Sequence, residues 1–415
     1  MPAGSATVAA MATSSIEAVS ALSHLQCTAC GREHDADRLQ TLCPDCGKVL
    51  FARYDLERAA RTLTREAVAA RPRGMWRWRE LLPVRQAVNV VSLGEGDTPL
   101  MAVPRLGARA GLKRLLLKDE GTNPTGSFKA RGISAAVSRA RELGAKDVAL
   151  PTAGNAGGAL AAYAARGGLG AHVYMPVDAP ELNRKESSVY GAEVVLVRGL
   201  INDCGAWVRR RAAEQGWFDV STLKEPYRAE GKKTMGLELA EQLGWEVPDV
   251  IVYPTGGGTG LVGIWKALEE LEQLGWVGPR RPRMIAVQTE GCAPIVQAYR
   301  AGLDHAPAVQ GARTRISGLR VPAAVADYVM LGLIRRSGGT AITVTDEEAL
   351  AGMREIASTE GVFAAPEGGA VWAGIKKLVA DGAIDRDERV VLMNTGTGLK
   401  YGELVSIELP VVDRL

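Results

Sequence analysis

Three groups of residues in this 415-residue chain have types and spacings suited to chemistry. The first is a lysine. In Asn123-Pro124-Thr125-Gly126-Ser127-Phe128-Lys129-Ala130-Arg131-Gly132, Asn-Pro and Thr-Gly mark a turn after a strand, and a helix is expected to start near Ser127. Lys129 then projects from the first helical turn. The helix dipole disfavours a cation there and favours the neutral amine that a Schiff base needs. Taken alone, a lysine at a helix start is usually a solvated surface charge. The second group is Pro254-Thr255-Gly256-Gly257-Gly258-Thr259-Gly260, between a strand and a helix. Successive backbone N–H groups in such a loop form an anion nest, and a phosphate is its natural guest. No Lys-Ser/Thr pair follows at the Walker spacing. The stretch also contains Gly258-x-Gly260-x-x-Gly263, with Glu290 ending the next strand. That pattern is a dinucleotide fingerprint, so a nicotinamide dehydrogenase is a rival reading. An amine and an anion nest together meet the needs of a phosphate-bearing aldehyde cofactor, and pyridoxal phosphate is that cofactor.

The third group is Cys27-x2-Cys30 followed by Cys43-x2-Cys46, with Gly31 and Gly47 after each pair. Two residues between thiolates let both sulfurs reach one tetrahedral ion, and glycine permits the positive φ of the knuckle. Four thiolates close the coordination sphere, so the expectation is a structural zinc ribbon (Zn2+). Redox pairs and a nucleic-acid finger are the rivals. The intervening GREHDADRLQTL is mixed in charge rather than basic, which argues against nucleic acid. Cys204 and Cys292 read as small buried apolar residues. The four histidines share no spacing and read as surface or packing residues. Arg209-Arg210-Arg211 reads as a solvated helix face, and Arg313, Arg315 and Arg320 as loop residues facing solvent.

The elements that must position these groups follow a simple rhythm. From about residue 86, short aliphatic runs alternate with Ala-rich helical stretches: RLLLKDE, FKARGISAAVSRARELGA, DVALPT, NAGGALAAYAARGG, AHVYMP, AEVVLV, a helix over 203–215, DVIVYPT, LVGIWKALEELEQLG and RMIAVQTEG. Strands without polar alternation, each followed by a helix, predict an α/β fold with mostly parallel sheets covered on both faces. Ligands in such sheets lie beyond the carboxyl ends of strands, where the Gly-rich loops fall. The composition is 47% hydrophobic and 23% charged, which excludes wholesale disorder. A net charge of +3 and 5% aromatic residues require no nucleic-acid partner. No apolar run is long enough for a membrane span, so no membrane partner is expected. Residues 1–26 read as a flexible tail without a secretory signal, 27–50 as the ribbon, and the Arg-rich 51–85 as a helical connector packed on the body. Cysteines in metal-type pairs point to the cytoplasm.

NPTGSFKARG, TAGNAGGALAAYAARGG, the Gly-rich loop and NTGTGLKY occur in this order. They resemble the fold-type-II pyridoxal-phosphate enzymes (tryptophan synthase β-like), and most closely the threonine synthases. GEGDTPL at 94–100 is similar to that family's leading motif, and PYRAEGKKT at 226–234 to its PYRxEGQKT segment; some members also carry a zinc ribbon. The resemblance covers residues 27–405. It implies a catalytic domain over 86–415 made of two mostly parallel-sheet subdomains, the smaller (about 125–225) inserted in the larger. It implies that Lys129 joins the cofactor and acts as acid and base, and that Asn155 bonds the ring hydroxyl. Gly256, Gly257, Gly258, Thr259 and Gly260 would hold the cofactor phosphate, and Thr395 would face the pyridine nitrogen. Thr152, Gly154 and Ala156 would take the substrate carboxylate, and Arg228 with Lys233 a substrate phosphate. The implied reaction is a lyase reaction of threonine biosynthesis. A small phosphorylated amino acid, O-phospho-L-homoserine, and water give L-threonine and phosphate by β,γ-elimination and replacement. Members are often homodimers.

The chain also departs from the family pattern. Thr222 and Leu223 replace Asn-Ser, Glu225 stands where Asn is usual, the loop reads GGGTG, and Thr397 replaces the His of TGHG. The cofactor expectation survives these changes. A threonine/serine ammonia-lyase or a β-replacing cysteine- or cysteate-type synthase stays open beside threonine synthase. An acidic residue at 225 is compatible with a phosphate site only if its carboxylate turns away.

Overall fold

The computed structural model describes residues 19–412 and Arg414, so the expected tail over 1–18 lies outside the described residues. The cysteine segment is a three-stranded antiparallel sheet, β1 (Leu22–Cys27), β2 (Glu33–His34) and β3 (Leu50–Tyr54), in the order β2-β1-β3. The expected end of the tail at residue 26 therefore differs. Leu22 and Leu25 are buried, so the strand begins ahead of the first cysteine. The connector also differs from a single helix. It breaks into α1 (Leu56–Ala60), α2 (Arg65–Ala70) and a 3₁₀ segment over Met75–Leu81, with Asp55 and Thr64 capping the two short helices and Pro72 after the second. Trp78 pins this segment to the body, packing edge-on or tilted on Trp245 and Trp276 at 6.3 and 6.2 Å.

Two further sheets form the body. The chain enters through β4 (Leu100–Ala102), α3 (Pro104–Ala110) and β5 (Arg114–Asp119). It then leaves the larger sheet for α4 (Lys129–Glu142), β6 (Asp147–Pro151), α5 (Asn155–Gly167), β7 (Gly170–Pro176), α6 (Glu181–Val189), β8 (Glu193–Val197), α7 (Ile201–Gln215) and β9 (Phe218–Asp219). The strands of this excursion pair in parallel as β8-β7-β6-β9. The return path is α8 (Tyr227–Gln242), β10 (Val250–Pro254), α9 (Thr259–Gln273), β11 (Arg283–Thr289), α10 (Pro294–Arg300), α11 (Asp327–Arg336), β12 (Ala341–Val344), α12 (Asp346–Glu360), α13 (Pro366–Ala380) and β13 (Arg389–Asn394). The larger sheet reads β12-β11-β10-β13-β5-β4, parallel except where β4 joins β5. Every residue of β10 is buried, as a central strand covered on both faces requires. Among the described residues no helix is long and apolar enough to cross a membrane.

A buried ion network fixes the helix that carries Lys129. Arg131, fully buried, donates to Glu120 Oε2 at 2.7 Å and to Glu238 Oε1 at 2.6 Å, and Lys118 donates to Glu238 Oε2 at 3.0 Å. The GEGDTPL segment joins the same network. Thr98 Oγ1 donates to Glu120 at 2.6 Å, and Glu95 accepts from Tyr163, Ser134 and Trp76. α4 is thereby tied to β5, α8 and α5 at once.

Candidate active site

Four loops at strand carboxyl ends converge on one cavity of about 530 Å³. They follow β5 (the Lys129 loop), β6 (Thr152–Asn155), β10 (Gly256–Gly258) and β13 (Thr395). The backbone locks two of them together. Phe128 N–H donates to Thr395 O at 3.1 Å, and Thr397 N–H to Gly126 O at 2.9 Å. Lys400 reinforces this junction, donating to Thr125 O and to Glu186, both at 2.6 Å.

Lys129 is the first residue of α4 and lines the cavity, with its Nζ 4.4 Å from the centre of the Phe128 ring. Burial lowers its pKa from 10.5 to about 7. Repulsion from Arg228 adds to the fall, and Glu367 opposes it. Around neutral pH the amine is therefore present in both proton states, as a group that takes and returns protons must be.

The glycine loop is shaped by close approach. A Cβ on Gly256 would stand 2.4 Å from Gly318 O, and one on Gly257 2.7 Å from Thr222 Cγ2; Gly258 has φ +74°. Among the described residues, the N–H groups of Gly256, Gly257 and Gly258 have no protein acceptor. They lie at the N-terminus of α9, beside the cavity. At the second helix N-terminus, α5, the N–H groups of Asn155 and Ala156 are also without protein acceptors among the described residues. Thr152 Oγ1 holds Gly154 N–H at 2.9 Å there. Asn155 donates from Nδ2 to the Tyr401 hydroxyl at 3.0 Å, while its Oδ1 is buried without a partner. A desolvated amine, a cradle of N–H groups without protein acceptors and an orphaned amide oxygen around one cavity fit pyridoxal phosphate.

Thr152, Gly154, Asn155, Ala156, Gly256, Gly257, Gly258, Thr259 and Thr395 all line this cavity with Lys129. Gly260 does not. It sits inside α9, where its missing Cβ makes room for the Tyr253 hydroxyl. Gly263, the last glycine of the fingerprint, lets α9 approach the backbone of α8 at Lys232 and Lys233. These two glycines therefore serve packing.

The expected phosphate pair is split, and Lys233 needs correction. Lys233 is fully buried on the far side of α8, where its Nζ meets Glu230 at 2.7 Å and Glu270 at 2.8 Å. Lys266 completes that cluster, and Tyr54 covers it, so Lys233 does not reach the cavity. Arg228 is likewise outside the lining. Its buried guanidinium donates from Nη1 to Val220 O at 2.7 Å, while its Nε and Nη2 have no partner among the described residues. Glu225 does turn away, accepting from the N–H groups of Tyr227 at 2.7 Å and Arg228 at 3.1 Å; burial pushes its pKa up to about 7. Arg209, expected in solvent with its neighbours, is exposed and also borders the cavity. Only Arg210 and Arg211 pair outward, with Glu214. Arg320, also expected in solvent, forms a two-pronged pair with Asp178 at 2.7 Å.

Sequence reasoning does not single out Glu367 or Tyr401. Glu367 Oε1 accepts from the Tyr401 hydroxyl and from Gly318 N–H, both at 3.0 Å, and burial raises its pKa. Tyr401 thus connects Glu367 to Asn155. It stands inside the NTGTGLKY motif, but nothing local marks Glu367, whose neighbours in the site come from elsewhere in the chain.

The four paired cysteines converge separately. Their sulfurs all lie within 4.8 Å of one another, with Cys27–Cys46 at 3.3 Å and Cys30–Cys43 at 3.9 Å. A tetrahedral ion with Zn–S bonds of about 2.3 Å needs sulfurs roughly 3.8 Å apart, so the thiols fit such a metal.

A family model described as pyridoxal-phosphate dependent enzyme matches residues 91–396. The chain is 38% identical to a threonine synthase of Methanocaldococcus jannaschii over 376 residues, covering 90% of this chain and 92% of that one. It is 37% identical to a threonine synthase of Methanosarcina acetivorans, covering 92% and 93%. Among solved structures, the threonine deaminase of Solanum lycopersicum (processed form of isoform 2) shares the fold, at a TM-score of 0.63 and 20% identity over 76% of this chain and 88% of that one. Maize serine racemase shares it too, at a TM-score of 0.65 and 24% identity over 74% and 90%.

Proposed function

The chain belongs to the pyridoxal-phosphate-dependent enzyme family, and from that membership we propose that it is a threonine synthase, converting O-phospho-L-homoserine and water to L-threonine and phosphate. The observation that carries this reading is the likeness to threonine synthases along 90% or more of both chains. When bound, pyridoxal phosphate supplies an electron sink for charge left on the substrate's α-carbon. The N–H groups of Gly256 to Gly258, with Thr259, would hold the cofactor's phosphate at the positive end of α9. Asn155 Oδ1, buried and unpartnered, would accept from its ring hydroxyl, and Thr395, in the cavity lining, would serve its ring nitrogen. The N–H groups of Asn155 and Ala156, with Thr152 and Gly154, orient the substrate carboxylate. Lys129 moves the protons. It removes the one on the α-carbon and returns one as threonine forms, both feasible with a pKa of about 7. In the net change a proton leaves the β-carbon and phosphate leaves the γ-carbon, the γ-carbon gains a proton to become a methyl group, and the hydroxyl of water is placed on the β-carbon.

The test is an assay of the purified holoenzyme with O-phospho-L-homoserine, L-threonine and L-serine. Phosphate and threonine appearing one for one supports the reading. Keto acid from threonine or serine, with no phosphate released from the first substrate, overturns it in favour of an ammonia-lyase. We further assign a structural Zn2+ to Cys27, Cys30, Cys43 and Cys46. The same reading makes the protein a cytoplasmic homodimer, which light scattering checks.

A further inference from the structure

We infer that Tyr401 and Glu367 are positioning residues that act through Asn155: together they fix which end of its amide meets the cofactor, and so hold the cofactor's ring hydroxyl as a hydrogen-bond donor. The inference rests on pyridoxal phosphate in this cavity and not on which substrate is consumed there. The three side chains come from separate parts of the chain, the first residue of α5, the first turn of α13 and the 3₁₀ turn after β13, and all three line the cavity.

The two ends of a carboxamide differ little in shape, so hydrogen-bond partners decide which way it faces. Glu367 Oε1 accepts from Gly318 N–H and from the Tyr401 hydroxyl, both at 3.0 Å. An oxygen that takes two donors is not the one that carries a proton. Any proton on Glu367 therefore sits on Oε2, which is buried without a partner. Burial raises the Glu367 pKa, but Oε1 remains an acceptor in either proton state. The Tyr401 hydroxyl has a single hydrogen, and Glu367 takes it. Ser317 Oγ, close to the same hydroxyl, makes no hydrogen bond and does not compete for that hydrogen. Towards Asn155 the hydroxyl can then only accept, and it does so from Nδ2 at 3.0 Å. Asn155 Oδ1 is thereby turned the other way, buried and unpartnered. An amide oxygen cannot donate, so a ring hydroxyl that meets it must keep its proton. The chain is held rigidly, because Tyr401 and Glu367 are both buried and Gly318 makes room for the carboxylate: a Cβ there would stand 2.2 Å from Oε1. Without the Tyr401 hydroxyl the amide is free to turn. Its NH2 end, facing the cofactor, would instead favour a ring oxygen that has lost its proton.

The experiment reads the absorption of the cofactor-loaded enzyme without substrate, at one fixed pH. A near-ultraviolet band reports molecules whose ring hydroxyl keeps its proton, and a visible band those whose ring oxygen has lost it. Tyr401→Phe should lower the ratio of near-ultraviolet to visible absorption about fivefold, the effect of one hydrogen-bond constraint. Glu367→Gln keeps an oxygen that accepts from Tyr401 and removes only the charge, so it should not reproduce that fall. In an Asn155→Ala background, Tyr401→Phe should leave the ratio within about twofold, because no amide remains to turn. Four results overturn the inference and leave the cofactor and the proposed reaction standing: a parent with no near-ultraviolet band, a Tyr401→Phe ratio within about twofold of the parent, an equal fall in Glu367→Gln, or an equal fall with Asn155 absent. A chain that takes up no pyridoxal phosphate overturns it together with the cofactor. Failure to release phosphate from O-phospho-L-homoserine, with the spectral shifts as expected, supports the inference and overturns only the proposed reaction.

Discussion

Lys129 offers the sharpest quantitative test of the cavity's physics. Burial, with repulsion from Arg228, brings its amine from 10.5 down to about 7. At pH 7 an ordinary lysine is neutral in roughly one molecule in 3,000, whereas this one is neutral in about half. The perturbation is to strip the cofactor and pulse-label the apoprotein with an amine-selective acylating reagent between pH 5.5 and 10. Peptide mass spectrometry then reports labelling at Lys129 against Lys185, whose side chain is 68% exposed. The expected Lys129 profile rises with a midpoint near pH 7. Two substitutions should move it in opposite directions. Arg228→Met removes a repelling cation, so protonation becomes easier and the midpoint rises. Glu367→Gln removes the carboxylate that favours the ammonium, so the midpoint falls. A Lys129 midpoint above pH 9, or a profile indifferent to both substitutions, refutes the account of how this cavity tunes its amine.

Three other outcomes follow from groups outside the cavity wall. Arg131→Met leaves Glu120 and Glu238 buried without their cation and should cost about 3–5 kcal/mol, read from urea midpoints; a loss under about 1 kcal/mol contradicts the network's role. Burial works against the Glu238 charge, yet Arg131 and Lys118 hold its carboxylate well below the usual range. Its share of the stability is therefore present above the unfolded carboxylate pKa and is lost as pH falls through the folded one. Lys232 is buried with no hydrogen-bond partner, and desolvation, then Arg228 and Lys129, push its pKa well below 10.5. The unfolded lysine binds the proton that the folded one lacks. Lys232→Met should therefore stabilise by about 1–3 kcal/mol at pH 7, with the gain shrinking toward pH 10.5; no gain at pH 7 contradicts this. Metal analysis should find one zinc per chain. Cys43→Ser should remove it and raise hydrogen exchange at Val49, whose N–H bonds the Tyr328 hydroxyl at 3.2 Å; a zinc-free parent protein excludes the ribbon's metal.

What is legible in the sequence is whatever is written in contiguous residues. The Lys129 loop, the glycine run after β10 and Asn155 at the head of α5 are each set by local turn chemistry at the end of a strand. Their convergence follows from parallel strands that present all their carboxyl ends on one side. Lys233 is misplaced by sequence because a motif specifies a residue but not the face of the helix on which it lands. Lys232 and Lys233 are neighbours in PYRAEGKKT, yet the first stacks on Phe128 at 4.8 Å and the second on Tyr54 at 4.0 Å. The polar residues of α8 also hide its burial. Glu230, Lys232, Lys233 and Glu238 are all fully buried, so hydropathy alone would place an exposed face where the molecule has its interior.

That interior explains why a chain with so many buried charges can keep one lysine poised. Charges inside this protein fall into two electrostatic states. Lys118, Arg131 and Lys266 each meet a carboxylate within 3.0 Å, and these paired charges lock α4, α8 and α9 together. Lys129, Lys232 and Arg228 sit within the same helical layer, but burial outweighs their acidic partners, and all three have their pKa lowered. The first state removes conformational freedom from the helix that begins at Lys129. The second withholds from that residue a counter-ion that would fix its proton. Exchanging the two states, with a carboxylate beside Lys129 and none beside Arg131, would give a permanently charged amine on a loosened helix. The saturated network around Arg131 and the unsaturated one around Lys129 are therefore two requirements of a single reactive amine.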